Sequence, residues 1–179
     1  MGDGAQQHYE QLILALGASL SPDQARRDES ERALAQLEQL PGHAVALFRV
    51  AVDPQIAAGN EVRQGAAVAL KNLVARRWQG SDKIRPLSAE DKAAVRDNVV
   101  EGVIQAPGAV RAQLGVALKA IAYADYPHAW PGLLEQLVRN LAAGDRRTAG
   151  ALYAMRLLVK KYEYKSGAER EPLRGIVRA

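Results

Sequence analysis

Apolar residues recur at intervals of three and four along nearly the whole 179-residue chain, and this spacing constrains the fold more than any other feature. Tyr9, Leu12, Ile13, Leu16 and Leu20 open the series with the stripe of an amphipathic helix, not the alternation of a strand. The stripe returns at Ala33, Leu34, Leu37 and Leu40, then at Val45, Leu47, Phe48, Val50 and Val52. A longer helix is marked by Val62, Ala66, Ala69, Leu70, Leu73, Val74 and Trp78, and another by Val95, Val99, Val103 and Ile104. Three more follow, led by Val110, Leu114 and Ile121, by Leu133, Leu137 and Leu141, and by Leu152, Leu158 and Tyr162. A last helix is expected to start around Pro172, Leu173, Ile176 and Val177, and no segment reads as a strand.

The boundaries are written in turn chemistry. Ser21-Pro22-Asp23-Gln24 suggests a hydroxyl N-cap, a proline at the first helical position and a glutamine reaching back. Pro41-Gly42, Asp53-Pro54, Pro107-Gly108 and Asp125-Tyr126-Pro127 are stops, because the residue before proline is pushed out of the helical region. Ser88-Ala89-Glu90-Asp91 reads as a second capping box after a loop over 79–87, Trp130-Pro131 as a helix start and Gly144-Asp145 as a stop.

Self-similarity separates a bundle from a repeat. Val62-Arg63-Gln64 with Leu70-Lys71-Asn72 is echoed 48 residues later by Val110-Arg111-Ala112 with Leu118-Lys119-Ala120. A weaker copy surrounds Leu158-Val159-Lys160. Helix pairs recurring every 40 to 47 residues or so characterise HEAT and armadillo arrays. The expectation is an all-α, right-handed α-solenoid of HEAT-type helical hairpins, about four repeats with the last cut short, which presents a long surface suited to gripping proteins.

Composition removes other classes. With 48% hydrophobic and 25% charged residues the chain is an ordinary folded domain, and without cysteine it has no disulfide, thiolate metal site or thiol nucleophile. No apolar run approaches the roughly 18 residues of a membrane span, and MGDGAQQHYE lacks the order of a signal peptide. His8, His43 and His128 stand apart in sequence and read as surface or turn residues, not metal ligands or bases, and no phosphate-binding glycine loop occurs. No catalytic residue, metal or cofactor is expected, and the net charge of +4 is too mild to mark a nucleic-acid footprint.

Several residues carry two readings. Arg63 and Arg111, at equal places in their repeats, suit a ladder of ion pairs or carbonyl contacts between adjacent repeats, or contact with a partner. Asn72, a poor helix former in mid-helix, suits either a backbone partner or recognition. Trp78 and Trp130 suit packing. The basic residues Arg146, Arg147, Lys160, Lys161 and Lys165 suit a solvated face or contact with an acidic protein surface.

The run from Val62 to Asn72 followed by Trp78 resembles the N-terminal module of importin-beta-type nuclear transport receptors, the karyopherins. Asp125-Tyr126-Pro127 with Trp130-Pro131 resembles the next repeat of that family, as does Gly150-Ala151-Leu152 before Leu158-Val159-Lys160-Lys161. Tyr162-Glu163-Tyr164-Lys165, Glu169-Arg170 and Pro172-Leu173 are most similar to the importin seven and importin eight branch. The resemblance covers essentially all of residues 1–179, with the family's N-terminal module at 30–106 nested inside. Arg63, Gln64, Trp78, Arg111, Asp125, Trp130 and Pro131 are its structural motif positions.

The resemblance implies a non-enzymatic receptor, moving between cytoplasm and nucleus through the nuclear pore, whose first repeats grip the small GTPase Ran in its GTP form. Cargo such as ribosomal proteins or histones, and nucleoporins, would be engaged by repeats beyond this chain, since family members are far longer. A monomer without direct nucleic-acid or membrane binding is expected. Taking 43–52, 89–105, 131–143 and a start near 169 as inner helices, the expected Ran contacts are Arg49, Arg96, Asn98, Gln136 and Arg139, joined by the motif positions Lys71 and Asn72. A generic HEAT scaffold for another protein stays open as the alternative.

Overall fold

A computed structural model describes residues 3–56, 59–172 and 174. Among the described residues eight α-helices follow one another: α1 (Asp3–Ser19), α2 (Gln24–Leu37), α3 (His43–Val52), α4 (Gly59–Arg77), α5 (Ala89–Gln105), α6 (Gly108–Asp125), α7 (Leu133–Ala142) and α8 (Asp145–Val159). A short 3₁₀ turn, Gly167–Arg170, comes after them. Among the described residues there is no strand, only an isolated bridge between Ser81 and Ile84 inside the 79–87 loop. No described helix is long and apolar enough to cross a membrane.

Proline and caps set the lengths as read from sequence, with two shifts. Helices α3, α5 and α6 all end on an extended residue that precedes a proline, namely Asp53, Ala106 and Tyr126. The Ser88 hydroxyl accepts from the Asp91 N–H at 3.0 Å, so that capping signal works as read. At α2 the cap is Asp23, whose carboxylate accepts from the Ala25 N–H at 2.9 Å, while Ser21 accepts from the Asp23 N–H. The carboxylate wins because it stands one residue from the helix, so Pro22 precedes the cap instead of following it. Likewise Trp130-Pro131 is not a helix start: Leu133 N–H bonds back to the Trp130 carbonyl in a turn, and α7 begins two residues later.

The helices pack as four antiparallel pairs, α1–α2, α3–α4, α5–α6 and α7–α8. Helices α1, α3 and α5 lie side by side in one layer, and α4, α6 and α8 in the other. The fourth pair, α7–α8, is complete; past it the 3₁₀ turn Gly167–Arg170 leads into residues 171, 172 and 174, which are α-helical, in line with the helix start expected near 169. The helix expected over Leu173, Ile176 and Val177 lies outside the described residues.

Between the layers runs one apolar core. Leu12, Leu47, Leu70, Leu114, Ile121, Leu133, Leu137 and Leu158 are buried almost completely, each contributing about 1.5–3 kcal/mol relative to exposure. Small residues let helices of different hairpins close on one another. A Cβ at Gly150 of α8 would stand 2.7 Å from the Ile104 Cα of α5, and one at Gly115 of α6 would stand 2.5 Å from the Tyr153 hydroxyl of α8.

These two contacts differ in what can yield. Gly150→Ala presses on backbone and is expected to cost about 2–3 kcal/mol, whereas Gly115→Ala meets the end of a movable tyrosine and is expected to cost about 1 kcal/mol. Urea unfolding of the two variants checks the order.

Candidate functional site

Three of the four hairpins are tied near the bend by an arginine from the first turn of the second helix. The Arg63 Nε–H of α4 donates to the Ala51 carbonyl in the last turn of α3 at 3.2 Å. Arg111 of α6 donates to the Val103 and Ile104 carbonyls in the last turns of α5 at 3.1 and 3.2 Å. In the fourth pair Arg147 of α8 reaches the Asn140 side chain of α7 at 2.7–2.9 Å and also pairs with Glu101 of α5. Arg63 and Arg111 thus satisfy orphan carbonyls at helix C-termini, where a cation is also favoured by the helix dipole, while Arg147 bonds side chains only. The expected carbonyl contacts are present, but Arg63 and Arg111 clasp the two helices of one hairpin, not adjacent repeats. Only Arg147, through Glu101, crosses between repeats.

Asp125, at the end of α6, joins three helices. One carboxylate oxygen accepts from the Trp78 indole N–H, just past α4, at 3.1 Å, and the other accepts from Arg96 of α5 at 3.0 Å. Arg96 donates as well to the Ala129 carbonyl at 3.0 Å. The Trp130 N–H bonds to the Asp125 carbonyl, and the Lys161 ammonium, at the end of α8, caps the Tyr126 carbonyl. Burial lowers the Lys161 pKa below its ordinary value. The motif positions Trp78, Asp125 and Trp130 therefore form one junction, while Gln64 and Pro131 stay exposed outside it. Lys161 stands on this junction, partly withdrawn from the basic surface that sequence suggested.

A second polar node was not visible in sequence. His8 of α1 and His43 of α3 are both buried, with rings stacked 5.3 Å apart and Nε2 to Nδ1 at 3.1 Å. This corrects their reading as surface or turn residues; 35 residues apart, they meet only because α1 and α3 pack in one layer. Burial pushes both imidazoles below their usual range, His43 to about 4, and raises the buried Asp91 carboxyl of α5 that lies nearby. Glu38 and Arg77 also act on His43. Among the described residues no group of three or more His, Asp or Glu side chains is arranged to hold a metal ion.

The seven residues expected to contact a GTPase do not share a surface. Arg49 of α3 lies 4.6 Å over the Tyr9 ring, whose hydroxyl donates to Asp53 at 2.6 Å. Arg96 is held by Asp125. Asn98 is exposed and returns its amide to the Ala94 carbonyl, Arg139 is exposed beside Glu135, and Gln136 is half-buried. All five stand on α3, α5 and α7. Lys71 and Asn72 stand on α4 in the other layer, Lys71 half-buried and Asn72 exposed, with no backbone partner for the Asn72 amide among the described hydrogen bonds.

Tandem helical hairpins stacked in two layers, with junction residues between repeats, define a segment of a HEAT-type solenoid. The exportin Cse1, solved in its cargo-free, cytoplasmic state, superposes on 96% of this chain with a TM-score of 0.84 at 24% identity, and this chain spans 18% of it. Residues 30–105 match the importin-beta N-terminal domain. The chain is 37% identical to an importin beta-like SAD2 homolog of Arabidopsis thaliana over 172 residues, 93% of its length, and 35% identical to human importin-8 over 170 residues, 90% of its length. It spans 16% of the length of either relative. This chain belongs to the importin-beta type of transport receptor, the karyopherins, and carries their N-terminal domain.

Removing the Asp125 carboxylate strands an indole N–H and a guanidinium. Asp125→Ala is expected to cost about 2 kcal/mol, seen as a melting temperature lower by about 4–8 °C. Acid is expected to weaken the fold through the histidine pair. The native imidazoles stay neutral where those of the unfolded chain protonate at 6.5, so their stability is complete above that pH and declines towards about 4. Asp91, shifted upward, recovers part of it as it protonates. A net loss of about 1–2 kcal/mol between pH 7 and 5 is expected, and urea midpoints should show it shrinking in His43→Gln.

Proposed function

We propose that this chain is the N-terminal part of a nuclear transport receptor that binds Ran in its GTP form and serves protein import. The match of residues 30–105 to the importin-beta N-terminal domain carries the reading. Identities of 35–37% to importin-type relatives support the import direction. Cargo and nucleoporins would bind repeats beyond this segment, and the whole receptor would pass between cytoplasm and nucleus at the pore. The role requires no chemistry from the receptor: a GTPase whose switch loops are ordered by the γ-phosphate fits a rigid helical surface in one nucleotide state and not in the other.

Two footprints follow from the two layers. Lys71 and Asn72 offer one on α4; Asn98, Gln136 and Arg139 offer another on α5 and α7. Arg49 and Arg96, engaged by Tyr9 and Asp125, would hold the surface in shape.

Calorimetry with Ran locked in its GTP form and, separately, in its GDP form is the test. At least about tenfold tighter binding of the GTP form is expected, a differential of about 1.4 kcal/mol. Lys71→Ala with Asn72→Ala should weaken it if α4 is the footprint, and Asn98→Ala with Arg139→Ala if α5 and α7 are. Equal affinity for the two forms, or none for either, would overturn the proposal.

A further inference from the structure

Helix α3 packs on one flank of the α1–α2 hairpin. Another flank is an open groove of about 710 Å³ between α1 and α2, adjoined by one of about 470 Å³ around the bend. The two grooves share Leu14, Ala18 and Arg26 and are lined by residues of this hairpin and its bends alone. Leu14 is 73% exposed and Leu20 56%, the two most exposed leucines among the described residues.

Between those leucines stands Gly17, three residues from each. A Cβ there would meet nothing within 4 Å, so no contact inside the fold accounts for a residue that weakens the end of α1. What glycine provides at such a place is room for another backbone to come close. On α2 the same groove is lined by Arg26 and Glu29, again three residues apart. Both are exposed, and neither has an oppositely charged partner among the described residues.

We infer that this flank of the α1–α2 hairpin docks a second copy of the chain across a two-fold axis. Its only charged lining residues are one cation and one carboxylate, so it favours neither an acidic nor a basic foreign surface but is its own complement. An axis set beside Gly17 and between Arg26 and Glu29 runs α1 antiparallel to α1 and α2 antiparallel to α2, each copy offering the same patch. Three residues of helix rise about 4.5 Å. Leu14 of each copy therefore lies against Leu20 of the other, Arg26 against Glu29, and the two Gly17 backbones meet at the axis. The chain already packs hairpin on hairpin through α1, α3 and α5, and the dimer adds one more such contact at the free flank. A dimer departs from the monomer expected from sequence. It leaves the α4 and the α5–α7 footprints uncovered, so the inference is independent of the Ran reading.

Analytical ultracentrifugation of the full chain from about 10 µM to about 1 mM tests it, with a reversible monomer–dimer equilibrium expected in that range. Gly17→Arg adds a side chain where the fold has room, so its melting temperature should be unchanged or higher while the dimerisation constant falls at least about tenfold. Arg26→Glu and Glu29→Arg should each weaken self-association to the same degree, because like charges then face each other across the axis. An equimolar mixture of those two variants should recover it to within about threefold of wild type, since each carries the complement of the other. Circular dichroism melts establish that every variant is folded. A wild-type chain that stays monomeric to about 1 mM leaves the groove to a foreign protein and overturns the inference. Self-association that survives Gly17→Arg, or a mixture that associates no better than either variant alone, overturns it as well.

Discussion

Everything in this molecule depends on closing the bend between two antiparallel helices. A helix that stops leaves its last carbonyls without partners, and at a buried bend water is not there to take them. Arg63 and Arg111 supply donors to them from the next helix, and Arg147 joins α8 to α7 through the Asn140 side chain, so that the end of one element and the start of the following one are a single unit. With the hairpin fixed, its apolar faces have only one place to go, which is against the neighbouring hairpin. The bends of the last three hairpins are thus each closed by an arginine, twice on backbone carbonyls and once on an asparagine side chain.

Between hairpins the joints are made differently. Asp125 ties the ends of α4 and α6 to α5 through an indole and a guanidinium, and Glu101 holds Arg147 across from α5 to α8. The histidine pair between α1 and α3 couples the first repeat to the second through groups that bear burial only while neutral. The joints between repeats are therefore carried by carboxylates towards the C-terminal half and by neutral imidazoles at the N-terminal joint.

Much of this was legible along the chain. The periodic stripes, the pre-proline stops at Asp53, Ala106 and Tyr126 and the 48-residue echo of Val62-Arg63 in Val110-Arg111 gave the helices, their order and their pairing, because each is a short-range effect. The shift at Asp23 arose where two capping candidates stood side by side, and the later start of α7 arose because Trp130 and Pro131 form a turn before the helix. His8 and His43 were invisible as a pair because nothing local relates residues 35 apart. Candidates for partner contact were chosen helix by helix, and the structure divides them between layers that face opposite ways.

Sequence by itself determined that this is an all-helical array of hairpins and, through its match to the importin-beta N-terminal domain, which family it belongs to. Tertiary structure decided which polar residues are spent inside. Arg63, Arg96, Arg111, Asp125 and Lys161 are held by contacts within the fold, whereas Asn72, Asn98 and Arg139 stay exposed. The reason is physical: helix formation is encoded in intervals of three and four residues, but whether a charge is paired or faces solvent depends on which distant helix packs beside it.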